Sequence, residues 1–355
     1  PPADQPAAAL GPRTLVRLGA AGAALLLIGS LGAGAMPGYD VIAHVPVLSA
    51  FRSGSLGLRA AMALAYAGLA LMVGSWLLLG RALYAPQPGQ PITVALLRRA
   101  ALAWSIPLAL CAPLFSRDLY SYAAQAQIAH AGLNPYQATP ADLPGRFLDE
   151  VAWRWVDSPA PYGPLWLMLG KVAAAIAGDG VMRTVLAVRL LCIIGVALVV
   201  WLLPRLAALT GGRPEAALWL GALNPLVLVH LIAGGHNDAL MLGLGVAGLA
   251  LAAMADGRAR GLDSARLAGG AAIIAMAIAV KSPAAVMLAF APLIWLQRRG
   301  QLRDLRQWIV ASALALGSAT AAFAAVTAIS GMGLGWIKQV NSSIPVVNWL
   351  SLPTS

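Results

Sequence analysis

Charge is what this sequence has least of. Only 10% of its 355 residues are Asp, Glu, Lys or Arg, 60% are hydrophobic, and mean hydropathy is +0.78. A soluble domain carries roughly 25% charged residues. So little polar surface cannot cover a water-soluble body of this length. A soluble enzyme and a disordered chain are excluded, and a polytopic membrane protein is expected. Cysteine is nearly absent as well. Cys111 and Cys192 both lie in apolar runs and read as small hydrophobes, so no disulfide framework follows. The four histidines, His44, His130, His230 and His236, form no ligand pair, and neither a metal nor another cofactor is expected. Walker loop, dinucleotide fingerprint and nucleophile elbow are all missing, which leaves nucleotide-driven transport and serine hydrolysis without support.

What the sequence has is apolar runs. They fall at roughly 15–35, 60–80, 95–115, 184–204, 215–233, 239–255, 265–281, 283–297 and 307–330, with a shorter run at 162–178. This predicts one transmembrane domain over residues 1–355 with nine or ten membrane segments. The first run is read as an uncleaved helix rather than a signal peptide, because so many spans follow it. The net charge of +11 resembles a nucleic-acid signal, but the arginines sit between the runs, so no nucleic-acid partner is expected. Arg13 and Arg17, Arg81, Arg98 and Arg99, Arg205 and Arg213, then Arg258, Arg260 and Arg266, and finally Arg298, Arg299, Arg303 and Arg306 mark loops on the cytoplasmic side. If the run at 162–178 crosses the bilayer, every later cluster falls outside. It is therefore expected to be re-entrant or to lie along the membrane, unless a crossing is hidden elsewhere.

The long polar stretch at 114–161 then lies on the outer face. Tyr120, Tyr122, Tyr136 and Tyr162, four of the seven tyrosines, lie in it or at its edge. Helical spacing from Leu119 to His130 predicts a short amphipathic helix resting at the interface, ended by Gly132 and Asn134-Pro135. A second short helix is expected around Asp149 to Trp155, with Trp153 and Trp155 as interfacial anchors.

Four places here have residues suited to chemistry. Asp118 sits where a span meets the outer water. Partial desolvation there raises a carboxylate's pKa toward general-base use. Equally, an Asp at that position caps the following helix and pairs with Arg117. Gly234-Gly235-His236-Asn237-Asp238 places three polar side chains at a turn between helices, fit for a sugar or phosphate or else a plain helix cap. Lys281 interrupts two long apolar runs, as a binding cation or as one that snorkels to lipid phosphates. Ser158-Pro159-Ala160-Pro161-Tyr162-Gly163-Pro164 is a rigid turn that either offers Tyr162 and Trp166 to a sugar ring or simply anchors the chain at the interface.

Taken in order, Ser116-Arg117-Asp118-Leu119-Tyr120-Ser121-Tyr122, Gly132-Leu133-Asn134-Pro135-Tyr136, Ala160-Pro161-Tyr162-Gly163-Pro164, Leu223-Asn224-Pro225, Gly235-His236-Asn237-Asp238 and Lys281 form a constellation. It resembles that of the actinobacterial polyprenol-phosphomannose-dependent α-1,6-mannosyltransferases, which build the mannan core of lipomannan and lipoarabinomannan. The likeness runs from about Val94 to Lys281. It implies an all-α polytopic GT-C glycosyltransferase fold with its outer loop carrying short helices. It also implies an extracytoplasmic active site in the plasma membrane, a polyprenyl-phosphate-mannose donor and a mannan glycolipid acceptor. The family is longer at its C-terminus, so a missing C-terminal part is expected here.

The resemblance makes Asp118 the base. Donor phosphate and sugar contacts then go to Arg117, His236, Asn237, Asp238 and Lys281, and acceptor contacts to Tyr120, Tyr122, Gln125 and Tyr162. Many relatives in the wider superfamily have paired acids in this loop. Here Asp118 stands alone beside Arg117, and no metal ligand set is assigned. The rivals are a secondary transporter or lipid flippase of envelope precursors, favoured by Gly-interrupted helices, and a catalytically silent scaffold. No internal repeat supports the transporter.

Overall fold

The computed structural model describes residues 10–38, 45–86 and 88–342. Among them every regular element is helical. His44 lies outside the described residues. In chain order the α-helices are α1 (Pro12–Ala33), α2 (Pro46–Arg52), α3 (Ser55–Tyr84), α4 (Val94–Leu110), α5 (Asp118–His130), α6 (Pro164–Ala177) and α7 (Val181–Leu209). They continue as α8 (Pro214–Gly221), α9 (Pro225–Leu228), α10 (Asp238–Ala252), α11 (Arg260–Val280), α12 (Ala285–Arg298), α13 (Leu305–Ser330) and α14 (Gly335–Ser342). A π-helical turn, Val229–Ala233, extends α9.

Five helices, α1, α3, α7, α11 and α13, are long and apolar enough to cross a bilayer. A sixth span is available if α8 and the Pro225–Ala233 segment, bent by 52° at their break, count as one. Asn224 makes that break. Its side chain accepts from the Leu226 amide and starts α9, while Pro225 supplies a fixed φ at the first helical position. The remaining expected segments are the shorter helices α4, α10 and α12, which run in the same bundle. The bundle's exterior carries Leu102, Ile106, Leu186, Leu190, Leu226, Ile309 and Leu316, all exposed, as a protein solvated by lipid tails requires.

The inside is built from small residues. Gly22 and Gly68 face each other's carbonyls across α1 and α3, and Gly195 on α7 lies against the backbone of Ala239 and Gly243 on α10. Lipid is as apolar as leucine, so close backbone approach and dispersion, rather than water exclusion, hold such helices together. Trp76 and Trp219 stack at 4.8 Å, and each indole N–H donates to the other's carbonyl at 2.9 Å, strapping α3 to α8. A Cβ at Gly195 would collide with the Ala239 carbonyl, whereas one at Gly74 would meet open space. Gly195→Val is therefore expected to cost about 1–3 kcal/mol through overpacking. In a detergent thermal melt its midpoint should fall, with Gly74→Val close to the parent; equal midpoints for the two would refute this packing account.

The arginine clusters converge on one end of the bundle. Arg98 donates to the carbonyls of Val200 and Trp201, Arg213 to Leu83, Arg298 to Leu209 and Ala253, and Arg266 to Met254. Asp118, His236 and Lys281 lie at the other end. The 162–178 run becomes α6, a 14-residue helix shorter than the five of spanning length. It packs along α5, with Gly163 bonded to Val280 at its start and Gly178 to Gln127 at its end.

Candidate active site

The approach to Asp118 is a sharp loop. Phe115 takes a left-handed φ of 64°, and the Ser116 hydroxyl accepts from the Asp118 amide. Asp118 is the first residue of α5, not its cap, since the N-cap position is Arg117 and carries no side-chain capping bond. The expected Arg117–Asp118 pair is absent too. The Arg117 guanidinium binds the Glu150 carboxylate at 2.5 Å and the Glu150 carbonyl at 3.0 Å. Buried Glu150, which no local pattern distinguishes, also accepts from the Gly38 amide. Near Glu150 the expected second helix is two separate 3-10 turns, Leu148–Glu150 and Trp153–Trp155, with Trp153 exposed.

α5 does not rest on an interface. Every residue from Leu119 to Ala129 is buried. Alanines on α5 let α6 approach, with Gly170 facing Ala126, and Gln127 satisfies its amide on the Gly178 carbonyl. The period looked amphipathic because its glutamines point into protein rather than water.

Asp118 meets His236 instead. Gly235 has φ 68° and sits against Leu119, where a Cβ would clash, so the turn after the π-helical segment presses onto the first turn of α5. This brings His236 Nε2 to 3.3 Å from Asp118 Oδ2. His236 Nδ1 lies 2.8 Å from the His230 carbonyl, and the two imidazoles stack at 3.7 Å. Both ring nitrogens thus face acceptors, which an imidazolium satisfies with two N–H donors. Burial disfavours charge on His236, but its bonds to Asp118 and to the His230 carbonyl outweigh that and raise its pKa above the ordinary histidine value. Burial likewise opposes a charged Asp118, yet the His236 bond and charge, with Ser116 and Lys281 behind them, bring its pKa below the usual 3.8. The expected upward shift of Asp118 is therefore reversed: desolvation is real but smaller than the adjacent cation.

Removing that cation gives a test. In His236→Ala only desolvation and weaker partners remain, so the acid limb of a kcat/KM profile governed by Asp118 should move to higher pH. A limb that stays in place would break the link between the two groups. Stability follows the same signs. Asp118 contributes stability above its unfolded-state pKa that is lost as pH falls through its lower folded value. His236 contributes stability below about 6.5 that is lost as pH rises through its higher folded value.

Asn237 occupies the N-cap position of α10, but its side chain caps nothing and instead accepts from the Tyr122 hydroxyl at 3.4 Å. Asp238 binds the Lys281 ammonium at 2.8 Å, so this lysine is clamped rather than snorkelling. Gly163 packs on the Ala279 backbone and donates to Val280, which delivers the proline-rich turn beside Lys281. Tyr136 donates to the Tyr162 carbonyl and Ala160 to that of Pro135, pinning this turn to the Asn134-Pro135-Tyr136 segment.

These contacts enclose a cleft of about 300 Å³ lined by Asp118, Ser121, Gln125, Trp155, Asp157 and Tyr162, among others. Its size is at the lower end for a small-molecule site. Ser121 Oγ and Gln125 Oε1 are buried and make no hydrogen bond among the described residues. Buried polar atoms left open at a cleft are what a hydroxyl-rich ligand satisfies. Of the residues expected to bind an acceptor, Gln125 and Tyr162 line the cleft. Tyr122 lies behind it, edge-on to Tyr162 and Trp166. Tyr120 is buried elsewhere, its hydroxyl on the Ala35 carbonyl. Asp157, from the same 114–161 stretch, supplies a second carboxylate, so Asp118 does not stand alone in the cleft. Among the described residues no three His, Cys, Asp or Glu side chains gather as a metal site.

Sequence reasoning also missed Arg189, a lone cation inside an apolar run. Buried on α7, it donates to the carbonyls of Ala109, Cys111 and Ala233. Leu114 also donates to Ala233. Arg189 thereby ties the end of α4, which leads to Asp118, to the π-helical turn that leads to His236. An arginine between apolar residues is itself the signal available in sequence.

Residues 16–297 match the family described as Alpha-(1->6)-mannopyranosyltransferase, N-terminal domain. The chain is 38% identical over 342 residues to Alpha-(1->6)-mannopyranosyltransferase A of Mycobacterium tuberculosis, covering 95% of this chain and 63% of that protein. It is 33% identical over 353 residues to Alpha-(1->6)-mannopyranosyltransferase A of Corynebacterium glutamicum, covering 93% and 69%. The chain thus spans just under two thirds of the length of the mycobacterial relative. No solved structure matches it.

Proposed function

The chain belongs to the α-(1→6)-mannopyranosyltransferase family, and on that premise we propose that it transfers mannose from a polyprenyl-phosphate donor to the 6-hydroxyl of a mannan glycolipid acceptor. The observation that carries this reading is a carboxylate, Asp118, on a cleft with open polar atoms and a cation at its back. The acceptor oxygen attacks C1 of the mannose as its proton passes to Asp118. The C1–O bond to phosphate breaks on the opposite face, so a β-linked donor yields an α-linked product. The leaving group departs as a phosphate monoester with one more negative charge on its oxygens, and nearby cations stabilise it.

His236 is the cation best placed for this, because its ring sits against Asp118, and that carboxylate and the His230 carbonyl raise its pKa above the ordinary histidine value. Lys281 adds a second positive group, oriented by Asp238. Arg117 shapes the base's loop through Glu150 and is not a phosphate ligand in this reading. Ser121, Gln125 and Tyr162 orient the acceptor sugar, the tyrosine as a stacking face. The positive-inside rule supports placing this end of the bundle outside the cytoplasm of the plasma membrane, since the arginine clusters lie at the other end.

The test uses purified full-length protein, labelled polyprenyl phosphomannose and a short α-mannoside acceptor. An α-1,6-linked product formed with chelator present is expected. Product formed solely from a nucleotide-activated mannose would overturn the reading.

A further inference from the structure

At the arginine-rich end, far from Asp118, the first turns of α1 and α4 flank a cleft of about 550 Å³. Arg13, Gln90, Thr93 and Arg99 line it, and among the described residues no acidic side chain does. Arg13 and Arg99 make no ion pair among the described residues. Both flanking helices point their N-termini, the positive ends of their dipoles, at this cleft. Arg99 also lines a second space, a slot of about 330 Å³ between α4 and α7 whose other walls include Leu102, Ser105, Val196, Ala197 and Trp201. From Arg99 to Ser105 the slot follows α4 for roughly 9 Å toward the bilayer centre. Arg98, at the slot's mouth, is committed to the Val200 and Trp201 carbonyls and to the face of Trp201, leaving Arg99 as the residue that joins both spaces.

A cationic cavity and an apolar slot that share one arginine as a wall match one kind of ligand. We propose that this is a binding site for an anionic glycerophospholipid from the leaflet at the arginine-rich end. Its phosphate lies between Arg13 and Arg99, and one acyl chain runs between α4 and α7. Charge complementarity selects the occupant: two arginines and two helix N-termini attract an anionic headgroup, and among the described residues no carboxylate lines the cavity to receive the ammonium of a zwitterionic one. The site is independent of the transfer chemistry, so its failure and that of the proposed function are separable.

Native mass spectrometry of the full-length protein, delipidated and then supplied with phosphatidylglycerol, phosphatidylcholine or polyprenyl phosphate, tests this. One phosphatidylglycerol is expected to be retained at least ten times better than phosphatidylcholine. Arg99→Gln, and Ala197→Trp, which fills the slot from its exposed side, should each abolish that preference. Arg306→Gln, an exposed arginine at the same end, should preserve it. A phosphatidylglycerol-dependent rise in melting temperature, seen in the parent and lost in Arg99→Gln, is the second readout. Unchanged retention in Arg99→Gln, equal loss in Arg306→Gln, equal retention of phosphatidylcholine, or preference for polyprenyl phosphate would overturn the proposal.

Discussion

Asp118→Asn is expected to lower kcat for mannosyl transfer by about 10²–10⁴-fold, the range for loss of a positioned general base. The amide is the same size as the carboxylate and still offers an oxygen to His236, so the fold and the cleft persist. What it loses is the capacity to accept the acceptor's proton and the negative charge beside the reacting carbon. The loss should therefore appear in kcat more than in donor KM, since in the proposed reading His236 and Lys281, not Asp118 itself, face the donor phosphate. A melting temperature near the parent's would show that the protein is folded. Transfer at the parent rate by such a folded variant would remove Asp118 from the mechanism and leave Asp157 as the cleft's other carboxylate to test.

Arg189→Met carries the largest expected effect on stability. The guanidinium is buried and donates to three carbonyls, two of them at the C-terminal end of α4, where a helix leaves acceptors unsatisfied and favours a positive charge. Methionine fills much of the volume but donates nothing. Each stranded acceptor costs about 1–3 kcal/mol, so a loss of at least 3 kcal/mol is expected, read as a sharp fall in melting temperature and in detergent-stable yield. Arg189→Lys keeps the charge with fewer well-directed donors and should recover part of the loss. Because Arg189 joins the segments bearing Asp118 and His236, the lysine variant should also show its acid limb displaced upward. Parent-like stability in Arg189→Met would mean that water satisfies these carbonyls.

Much of this was legible because membrane proteins write their partition energetics locally. Uninterrupted apolar runs located the long helices, and arginines between runs marked one end of the bundle. Gly132 and Asn134-Pro135 ended α5 where their backbone preferences require. The candidate residues themselves were also readable, because a polar group at the edge of a span is costly unless it has a use. Their partners were not. Arg117 stands beside Asp118 in the chain but binds Glu150, and Asp118 binds His236, more than 100 residues away. The glutamines of α5 read as a wet face, but Gln127 is tied to the Gly178 carbonyl at the end of α6 and Gln125 faces the cleft, while Asp157 reaches the cleft only through the fold of the proline-rich turn.

Composition and run length alone determined that the chain lives in lipid as a helical bundle, since transfer free energy depends on which residues are adjacent in sequence. Tertiary structure decided which charge faces which. That choice reversed the direction of the Asp118 shift. Burial by itself raises a carboxylate's pKa, while a cation 3.3 Å away lowers it. Coulomb energy depends on distance through space, which the order of residues does not contain.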